Sequence, residues 1–245
     1  SPWSKNKDKI TGTTSDIGGY SLNYHKHIHT GEGGIIVTND KNLYHRMSLI
    51  RNHAEAVIDN MGRQDLNNMI GYNFRLGEIE AAIGLEQLKK LNRIIKRKEE
   101  ICDRLTKGLS KLEGLITPVV KKNNTHSFYV YPLKLDKSKI KASRERIVQA
   151  LEAEGICEGL SNGYANIHLL PIFQKKIAYG KKGYPWILTE NGRKISYKKG
   201  ICPVAEKLHY ETLMLFEVCL FDLSDSDVNL IIQVFKKVWK NLKKL

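Results

Sequence analysis

The feature that most restricts the fold is a long helical pattern in the middle of the sequence, RLGEIEAAIGLEQLKKLNRIIKRKEEICDRLTKGLSKL, which begins at Arg75. Its apolar residues recur at the three- and four-residue spacing of a helix that buries one face. The apolar stripe comprises Ile79, Ala82, Ile83, Leu85, Leu88, Leu91, Ile94 and Ile95. Such a helix is long enough to join two domains. We therefore predict one domain over residues 1–112, which ends in this bridging helix, and a second domain over residues 113–245.

The sequence after this helix contains a second set of strand and helix patterns. HSFYVYPLKL and EVCLFDL are predicted strands. SRERIVQALEAEG is a predicted helix that Gly155 ends, and SDSDVNLIIQVFKKVWKNL is a predicted amphipathic helix with a capped start. This order predicts a small α/β domain.

The sequence before the long helix predicts two strands and a short helix. The strands are DIGGYSLNY and GGIIVTND, and the helix is NDKNLYHRMSLIRNH, with Asn39 or Asp40 as its cap. AEAVIDNMGRQDLNNMIGYNF has little periodicity and predicts a long ordered loop. Loops of that length inside compact domains are usually functional.

The net charge of +14 raises the question of a nucleic-acid or anionic-surface partner. The lysines, however, are scattered over many short clusters, and none is interleaved with aromatic residues that would stack on bases. Several clusters lie on the polar faces of helical patterns, which favours solvated basic faces over a nucleic-acid site. An acidic substrate such as a nucleotide or a phosphate ester also suits this charge.

The four cysteines, Cys102, Cys157, Cys202 and Cys219, are widely spaced and form no CxxC pair. This spacing predicts reduced thiols of a cytoplasmic protein and argues against a zinc site. No apolar run approaches the roughly 18 residues that a membrane-spanning helix needs, so no membrane span is predicted.

The stretch SLNYHKHIHTGEGGIIVTND allows three chemical interpretations. On a strand, His25, His27 and His29 would share one face and offer imidazole ligands to a metal, but no carboxylate or cysteine motif lies nearby. TGEGG lacks the spacing of either nucleotide-binding glycine motif, and its glycines are more typical of a turn with positive φ and a close backbone approach. Lys26 is then either a reactive amine or a surface lysine at the end of a strand.

The whole string resembles the signature of a known family. Ser21, Lys26, TGEGGIIVTND and the capped helix that contains RNH are similar to the DegT/DnrJ/EryC1/StrS family of pyridoxal-phosphate-dependent sugar aminotransferases. GYNFRLGEIEAAIGLEQL resembles a second element of that family, and YANIHLLPIF resembles a third more weakly. The resemblance extends from about Asp16 to the last helix. Leu22 stands where the family has phenylalanine.

The resemblance implies an α/β fold of the PLP-dependent transferase fold type I, with a large cofactor-binding domain and a small C-terminal α/β domain. It also implies transfer of an amino group from an amino acid, usually glutamate, to a keto sugar, typically nucleotide-linked, in surface polysaccharide or glycan biosynthesis. Several elements of the family's large domain are not found in this sequence. We therefore expect an incomplete large domain, belonging to the C-terminal part of a longer polypeptide, and no activity of this chain alone.

The resemblance also assigns roles to individual residues. It implies that Lys26 bonds covalently to pyridoxal phosphate and that Ser21 donates its hydroxyl to the cofactor phosphate. It implies that Asn73 contacts the cofactor phosphate of the neighbouring subunit, and therefore that the protein is a homodimer with a shared active site. His168 is a candidate contact for the sugar or its nucleotide, or a core or surface histidine. Arg75 is a candidate for binding a substrate carboxylate or phosphate, or it pairs with an acid that caps a helix.

Alternatives to amino transfer remain open. A sister group of the family has histidine in place of the lysine and catalyses dehydration, but counting back from Gly31 places Lys26 itself at that position. The non-enzymatic alternative is a basic module that binds nucleic acid or an acidic partner. FQKKIAYGKKGYPW, residues 173–186, resembles an insertion found in part of the family and is a predicted lid or substrate-selecting loop.

Overall fold

The computed structural model describes residues 4–55, 69–156 and 159–245. The described residues fall into two compact units, each assembled from segments that are distant in the sequence. Unit 1 comprises the described residues of Ser1–Cys102, Val119–Tyr129 and Val218–Asp222, and unit 2 comprises those of Asp103–Pro118, Val130–Glu217 and Leu223–Leu245. The boundary between residues 112 and 113 stays a prediction.

Unit 1 contains two antiparallel hairpins. The first pairs β1 (Lys5–Asn6) with β2 (Lys9–Ile10), and the second pairs β3 (Gly18–Ser21) with β4 (Gly34–Val37). Ser21 lies opposite Gly34 at the loop end of the second hairpin, so β3 ends where the stretch that contains Lys26 begins. The structure confirms both predicted strands in shortened form.

Helix α1 (Lys41–Arg51) follows the second hairpin and begins at Asp40. The Asp40 carboxylate accepts hydrogen bonds from the backbone N–H groups of Asn42 and Leu43, at 2.7 and 3.0 Å. These bonds satisfy two of the unpaired donors at a helix start. Of the two predicted caps, the structure therefore uses Asp40.

Helix α2 (Glu78–Leu109) confirms the long helical pattern and contributes residues to both units. Within unit 1, its Leu91 and Ile95 are buried in a cluster with Leu22 and Ile28. The earlier apolar positions behave differently, because Ile79, Leu85 and Leu88 are among the exposed large side chains of the described residues. The predicted apolar stripe is thus buried only in part.

Unit 2 is built on a four-stranded antiparallel sheet with the order β5-β6-β8-β7. The strands are β5 (Leu115–Ile116), β6 (Tyr131–Leu135), β7 (Leu160–Ser161) and β8 (Leu213–Phe216). Tyr131, Leu133 and Leu135 alternate as buried residues on one face of β6, as expected for a sheet with one covered face. The unit is mixed α/β, as predicted.

Two helices of unit 2 match their predicted patterns. Helix α3 (Arg144–Ala153) begins at Ser143. The last long helix, Asp225–Lys240, begins with a capping box formed by Ser224 and Asp227. The shorter helices between them are α4 (Pro171–Lys175), α5 (Glu190–Lys194) and α6 (Pro203–Lys207), so the last long helix is α7.

Short turns of other helical types complete unit 2. They are the 3₁₀ helices Ile167–Leu169, Trp186–Leu188 and Leu242–Lys244 and the π-helix Leu208–Thr212. The predicted lid over residues 173–186 is ordered around an aromatic cluster, in which Trp186 Nε1 donates to the Tyr197 hydroxyl at 3.0 Å and the Phe173 ring packs nearby. Its role as a lid or substrate-selecting loop stays a prediction.

The predicted strand EVCLFDL is wrong. The strand is the preceding segment, Leu213–Phe216, and Val218–Leu220 is a 3₁₀ helix of unit 1. The buried amine of Lys98 donates to the carbonyl oxygens of Val218 and Phe221, the first at 2.8 Å. These backbone acceptors are satisfied by a side chain and not by a neighbouring strand. Among the described residues, no helix is both long and apolar enough to cross a membrane.

Candidate active site around Lys26

Lys26 lies in a turn between two buried apolar residues. Leu22 precedes it and Ile28 follows it, and both belong to the cluster that packs on α2. The Lys26 N–H donates to the Asn23 carbonyl oxygen at 3.0 Å, which closes the turn. The side chain itself is only half-buried. Burial of the flanking residues therefore fixes the backbone, while the Lys26 side chain stays partly exposed.

The Lys26 amine has two neighbours. Its Nζ lies 3.2 Å from Nε2 of His25 and 4.0 Å from the centroid of the Tyr129 ring. The amine therefore faces an imidazole nitrogen and an aromatic face. Within the described part of the chain, no carboxylate forms an ion pair with Lys26.

His27 fixes the segment that delivers Tyr129. The buried His27 ring lies with Nε2 2.6 Å from the Ser127 carbonyl oxygen, and because a carbonyl only accepts, Nε2 carries the hydrogen. Burial lowers the pKa of His27, the hydrogen bond to Ser127 opposes this, and the charges of Lys98 and Lys26 lower it further. His27 is thus a neutral donor that joins the lysine turn to residues 127–129.

Ser21 lies at the exposed end of β3. Its Oγ accepts a hydrogen bond of 3.3 Å from the Asn23 N–H, which leaves the hydroxyl hydrogen able to donate elsewhere. The Asn23 side chain donates in turn to Glu32 at 2.6 Å, across the turn that leads into β4. Ser21 and Lys26 are therefore held at the same end of one hairpin.

The glycines of TGEGG form a turn, as predicted. Gly31 and Gly33 have φ values of 86° and 149°, which residues with a side chain rarely adopt. A Cβ on Gly33 would lie 2.8 Å from the Thr30 hydroxyl and 3.1 Å from Leu76 Cδ1. The glycine requirement is therefore a matter of backbone conformation and close approach.

The three histidines of the metal interpretation have separate partners. His25 faces Lys26, His27 bonds to Ser127, and His29 is exposed and accepts a long hydrogen bond of 3.4 Å from the Gly31 N–H. They lie in a turn, so the strand geometry that would align them does not form. Among residues 4–55, 69–156 and 159–245, no group of three or more histidine, cysteine, aspartate or glutamate side chains is arranged to hold a metal ion.

Asn73 and Arg75 lie against the end of α1. Asn73 forms a β-bridge with Asn52, and the Arg75 guanidinium donates to the Asn52 side-chain oxygen. The Tyr72 N–H donates to the Ile50 carbonyl at 2.7 Å, which extends the same antiparallel contact. Among the described residues, no hydrogen bond or ion pair joins Asn73 or Arg75 to Lys26. Residues 56–68 of the predicted long loop lie outside the described residues.

His168 lies in unit 2 and pairs with a buried carboxylate. Its Nε2 donates to Glu206 at 2.9 Å, and Glu206 also accepts from the N–H groups of Gly200 and Cys202, at 2.8 and 3.3 Å. Burial by itself raises the pKa of Glu206, but the hydrogen bonds from Gly200, His168 and Cys202 outweigh it, so the pKa lies below its usual range. His168 thus supports the loop over residues 200–202.

Sequence reasoning missed Tyr129. Its pattern, HSFYVYPLKL, predicts one continuous strand, in which Tyr129 is one of several alternating aromatic residues. The structure begins the strand at Tyr131 and turns the chain before it, with Phe128 at a φ of +48°. No local pattern marks this turn, because the hydrogen bond that fixes it comes from His27.

Comparisons with known proteins identify the family of the chain. The model of the DegT/DnrJ/EryC1/StrS aminotransferase family matches residues 3–234. The chain belongs to this family. A relative from Escherichia coli O157:H7, named GDP-perosamine synthase, is 36% identical over 173 residues, which are 71% of this chain and 44% of the relative.

Solved structures of aminotransferases have the same fold. An aminotransferase from Streptoalloteichus hindustanus matches with a TM-score of 0.71 and 25% identity, over 98% of this chain and 56% of that chain. A sugar aminotransferase from Streptococcus pneumoniae in its PLP form matches with a TM-score of 0.71 and 21% identity, over 98% and 56%. The predicted fold type I is confirmed. The chain spans about half the length of the curated relatives that it matches.

Proposed function

We propose that the protein that carries this chain is a pyridoxal-phosphate-dependent sugar aminotransferase. It transfers an amino group from an amino acid, with glutamate as the predicted donor, to a keto sugar that is linked to a nucleotide. The observation that carries the proposal is the partly exposed Lys26, held on a fixed turn at the same end of the β3–β4 hairpin as Ser21, in a member of this family. The product would enter surface polysaccharide or glycan biosynthesis.

The residues around Lys26 fit pyridoxal phosphate. The cofactor needs a primary amine for its aldehyde and hydrogen-bond donors for its phosphate, and Lys26 and Ser21 offer these groups at one end of the β3–β4 hairpin. An ion pair with a carboxylate would keep the amine charged, and none engages Lys26 within the described chain. Once bound, pyridoxal phosphate supplies an electron-accepting ring for the carbon that loses its proton.

The chain's own contribution to the chemistry is centred on Lys26 Nζ. A neutral amine there can take up a proton and return it, which is the general acid–base work that amino transfer requires. His25 Nε2, at 3.2 Å, accepts a hydrogen bond from the amine when that nitrogen carries no hydrogen, and so orients it. Ser21 would bind the cofactor phosphate through its hydroxyl group.

A nucleotide-linked sugar suits both the charge and the relatives. The net charge of +14 favours an anionic substrate, and the E. coli relative carries the name of a GDP-linked sugar. Arg75 uses one of its five N–H groups on Asn52, which leaves others for a phosphate or carboxylate. His168 remains a proposed substrate contact, since its pairing with Glu206 leaves its second ring nitrogen free to be used.

The proposed protein is a homodimer in the cytoplasm, with Asn73 reaching the cofactor phosphate of the neighbouring subunit. Support comes from exposed apolar side chains next to Asn73, among them Phe74 and Ile79, which are 64% and 75% exposed. Large apolar patches of this kind mark interaction sites. Among the described residues, Cys102, Cys202 and Cys219 form no disulfide bond, which suits a reducing compartment, and Cys157 lies outside the described residues.

The proposal is tested on the purified full-length protein supplied with pyridoxal phosphate. Borohydride reduction followed by peptide mass mapping should place the cofactor on Lys26, with loss of a visible absorbance band. Lys26→Ala should abolish both the fixed cofactor and amino transfer, while Lys141→Ala, at an exposed lysine of unit 2, should change neither. Fixation at wild-type level in Lys26→Ala, or no cofactor binding by the wild type, would refute the proposal.

A further inference from the structure

The ring of Tyr129 covers the Lys26 amine. Nζ lies 4.0 Å from the ring centroid, well inside the roughly 6 Å over which a lysine ammonium is attracted to an aromatic face. The same ring lies near His25 and His27, with centroid distances of 5.9 and 6.5 Å. Tyr129 is therefore part of the immediate surroundings of the reactive amine, although it lies far from Lys26 in the sequence.

The backbone that presents this ring is held in an unfavourable conformation. Phe128, which is buried, has a φ of +48°, and the left-handed region is strained for a bulky residue. Two side chains hold the turn, because His27 donates to the Ser127 carbonyl and His126 Nδ1 accepts from the Phe128 N–H at 2.9 Å. Such strain persists only where the surrounding structure enforces it, and here it directs the next residue to Lys26.

The other groups that face Lys26 do not balance a positive charge. Burial lowers the pKa of His27 and raises the pKa of the Cys219 thiol, so both groups are neutral near pH 7. His25 Nε2 lies at hydrogen-bond distance from the amine but brings no negative charge. In the described residues no carboxylate pairs with the amine. The Tyr129 ring is therefore the neighbour that presents a negative electrostatic face to the Lys26 amine.

We propose that Tyr129 is a positioning residue that stabilises and confines the protonated Lys26 amine. This proposal rests on the proposed function. It gives the ring a role at the stage of amino transfer at which Lys26 carries the transferred proton. Without such a partner, rotation about the four flexible bonds of the lysine side chain would carry the amine out of the site, or the amine would lose its proton more readily. The ring keeps the ammonium in place without forming an ion pair that would hold the proton too tightly.

The test measures the amine directly, in the cofactor-free full-length protein. Lys26 is reductively methylated at a series of pH values, and its rate is read from the modified peptide by mass spectrometry. Tyr129→Phe keeps the aromatic face and should reproduce the wild-type profile. Tyr129→Leu removes it, so the midpoint should move to lower pH, with a rate about fivefold higher on the rising limb and an unchanged plateau at high pH.

The plateau of the methylation rate at high pH distinguishes an effect of the ring on the charged amine from simple steric shielding of that amine. If Tyr129→Leu raises the rate equally at every pH, the ring only blocks access, and the proposal is overturned. An unchanged profile in Tyr129→Leu overturns it as well. Should the leucine variant fail to fold, pentafluorophenylalanine at position 129 keeps the ring shape and reverses its electrostatic face, and the midpoint should again move to lower pH. An unmoved midpoint in that variant contradicts the proposal.

The outcome is independent of the proposed function. Methylation uses no cofactor and no sugar, so a shifted midpoint can occur in a protein that fails the borohydride test. Conversely, the protein can bind pyridoxal phosphate on Lys26 and still show the same methylation profile with and without the Tyr129 ring. The two failures are therefore distinguishable.

Discussion

The imidazole of His27 donates a hydrogen bond to the carbonyl oxygen of Ser127, and this bond joins segments that are 100 residues apart. Ser127 is itself buried, and its Oγ lies 2.9 Å from Oγ of Ser4. The lysine turn, the N-terminal hairpin and the segment that carries Tyr129 therefore meet at one backbone position. A change at His27 should be transmitted to all three.

Protonation of His27 should destabilise the protein in mild acid. Because burial lowers its pKa in the folded state, the unfolded chain binds a proton first as the pH falls below about 6.5, and stability then decreases. One such group changes the free energy of unfolding by at most about 1.4 kcal/mol per pH unit. His27→Gln keeps a donor for Ser127 without a titrating ring, so the dependence between pH 7 and pH 5 should become shallower.

The measurement is chemical denaturation at several pH values in this range. His29→Gln removes an exposed imidazole from the same turn and serves as the matched control. The two variants should differ in slope. A wild-type slope in His27→Gln would show that the hydrogen bond to Ser127 does not require a neutral ring.

Local sequence patterns predicted the elements whose stabilising contacts are themselves local. Asp40 and Ser224 both accept hydrogen bonds from backbone groups two or three residues ahead, and the helices that they start were found from the sequence. Lys26 was assigned by its register against TGEGG, within a resemblance to a family, and that assignment stays a prediction. Predictions of this kind need no knowledge of distant contacts.

The misassigned elements depend on contacts from distant residues. EVCLFDL has a strand pattern, but carbonyl groups of this segment accept hydrogen bonds from Lys98, which lies 120 residues away from Val218. Tyr129 was overlooked because His27 breaks the strand that its sequence predicts. In both places tertiary hydrogen bonds override local propensity, and a single sequence contains no record of them.

Replacement of Glu206 should weaken unit 2. In Glu206→Gln the amide oxygen can replace Oε1, which accepts from His168, Gly200 and Cys202, but an N–H₂ group then replaces Oε2 and faces the Gly200 N–H. The charge that strengthens these hydrogen bonds is also lost. The wild type should lose stability in acid, since a carboxylate with a lowered pKa contributes fully above about pH 4.3 and progressively less as the pH falls through its folded-state pKa. The variant should lack that contribution at every pH.

Thermal unfolding at pH 7 and pH 4 checks this expectation. Glu211→Gln is the matched control, because Glu211 is an exposed carboxylate on the neighbouring π-helix. The Glu206 variant should unfold at a lower temperature than the control at pH 7, and the two should converge as the pH falls. Equal unfolding temperatures at pH 7 would mean that the His168–Glu206 pair contributes nothing measurable.

Asn73 gives a test of the shared active site. If Asn73 of one subunit serves the Lys26 site of the other, then Lys26→Ala and Asn73→Ala proteins are each inactive, but a hybrid dimer has one intact site. Random mixing of equal amounts should restore about one quarter of the wild-type activity, because half of the dimers are hybrids with one working site of two.

The activity of the mixture is measured after subunit exchange, with hybrid formation shown by two different affinity tags. Mixing Lys26→Ala with Ser21→Ala is the control, since both residues belong to the same turn and the same proposed site. That mixture should remain inactive. No recovery with Asn73→Ala, although hybrids are shown to form, would place Asn73 in the site of its own subunit.

The net charge of +14 separates a nucleotide-sugar enzyme from a basic nucleic-acid-binding module. Binding to DNA that rests on scattered lysines alone depends on counterion release, and with six or more phosphate contacts it would weaken by about 10³-fold or more between about 50 and 200 mM salt. A nucleotide sugar held by a few directed hydrogen bonds should lose much less affinity over the same range.

The measurement is a salt titration of a duplex DNA and of a GDP-linked and a UDP-linked sugar against the full-length protein. For DNA we expect steep loss and weak binding at physiological salt, and for at least one nucleotide sugar a shallow dependence. Tight DNA binding at physiological salt, together with no affinity for either sugar nucleotide, would favour the binding module and remove the support that the charge gives to the enzyme.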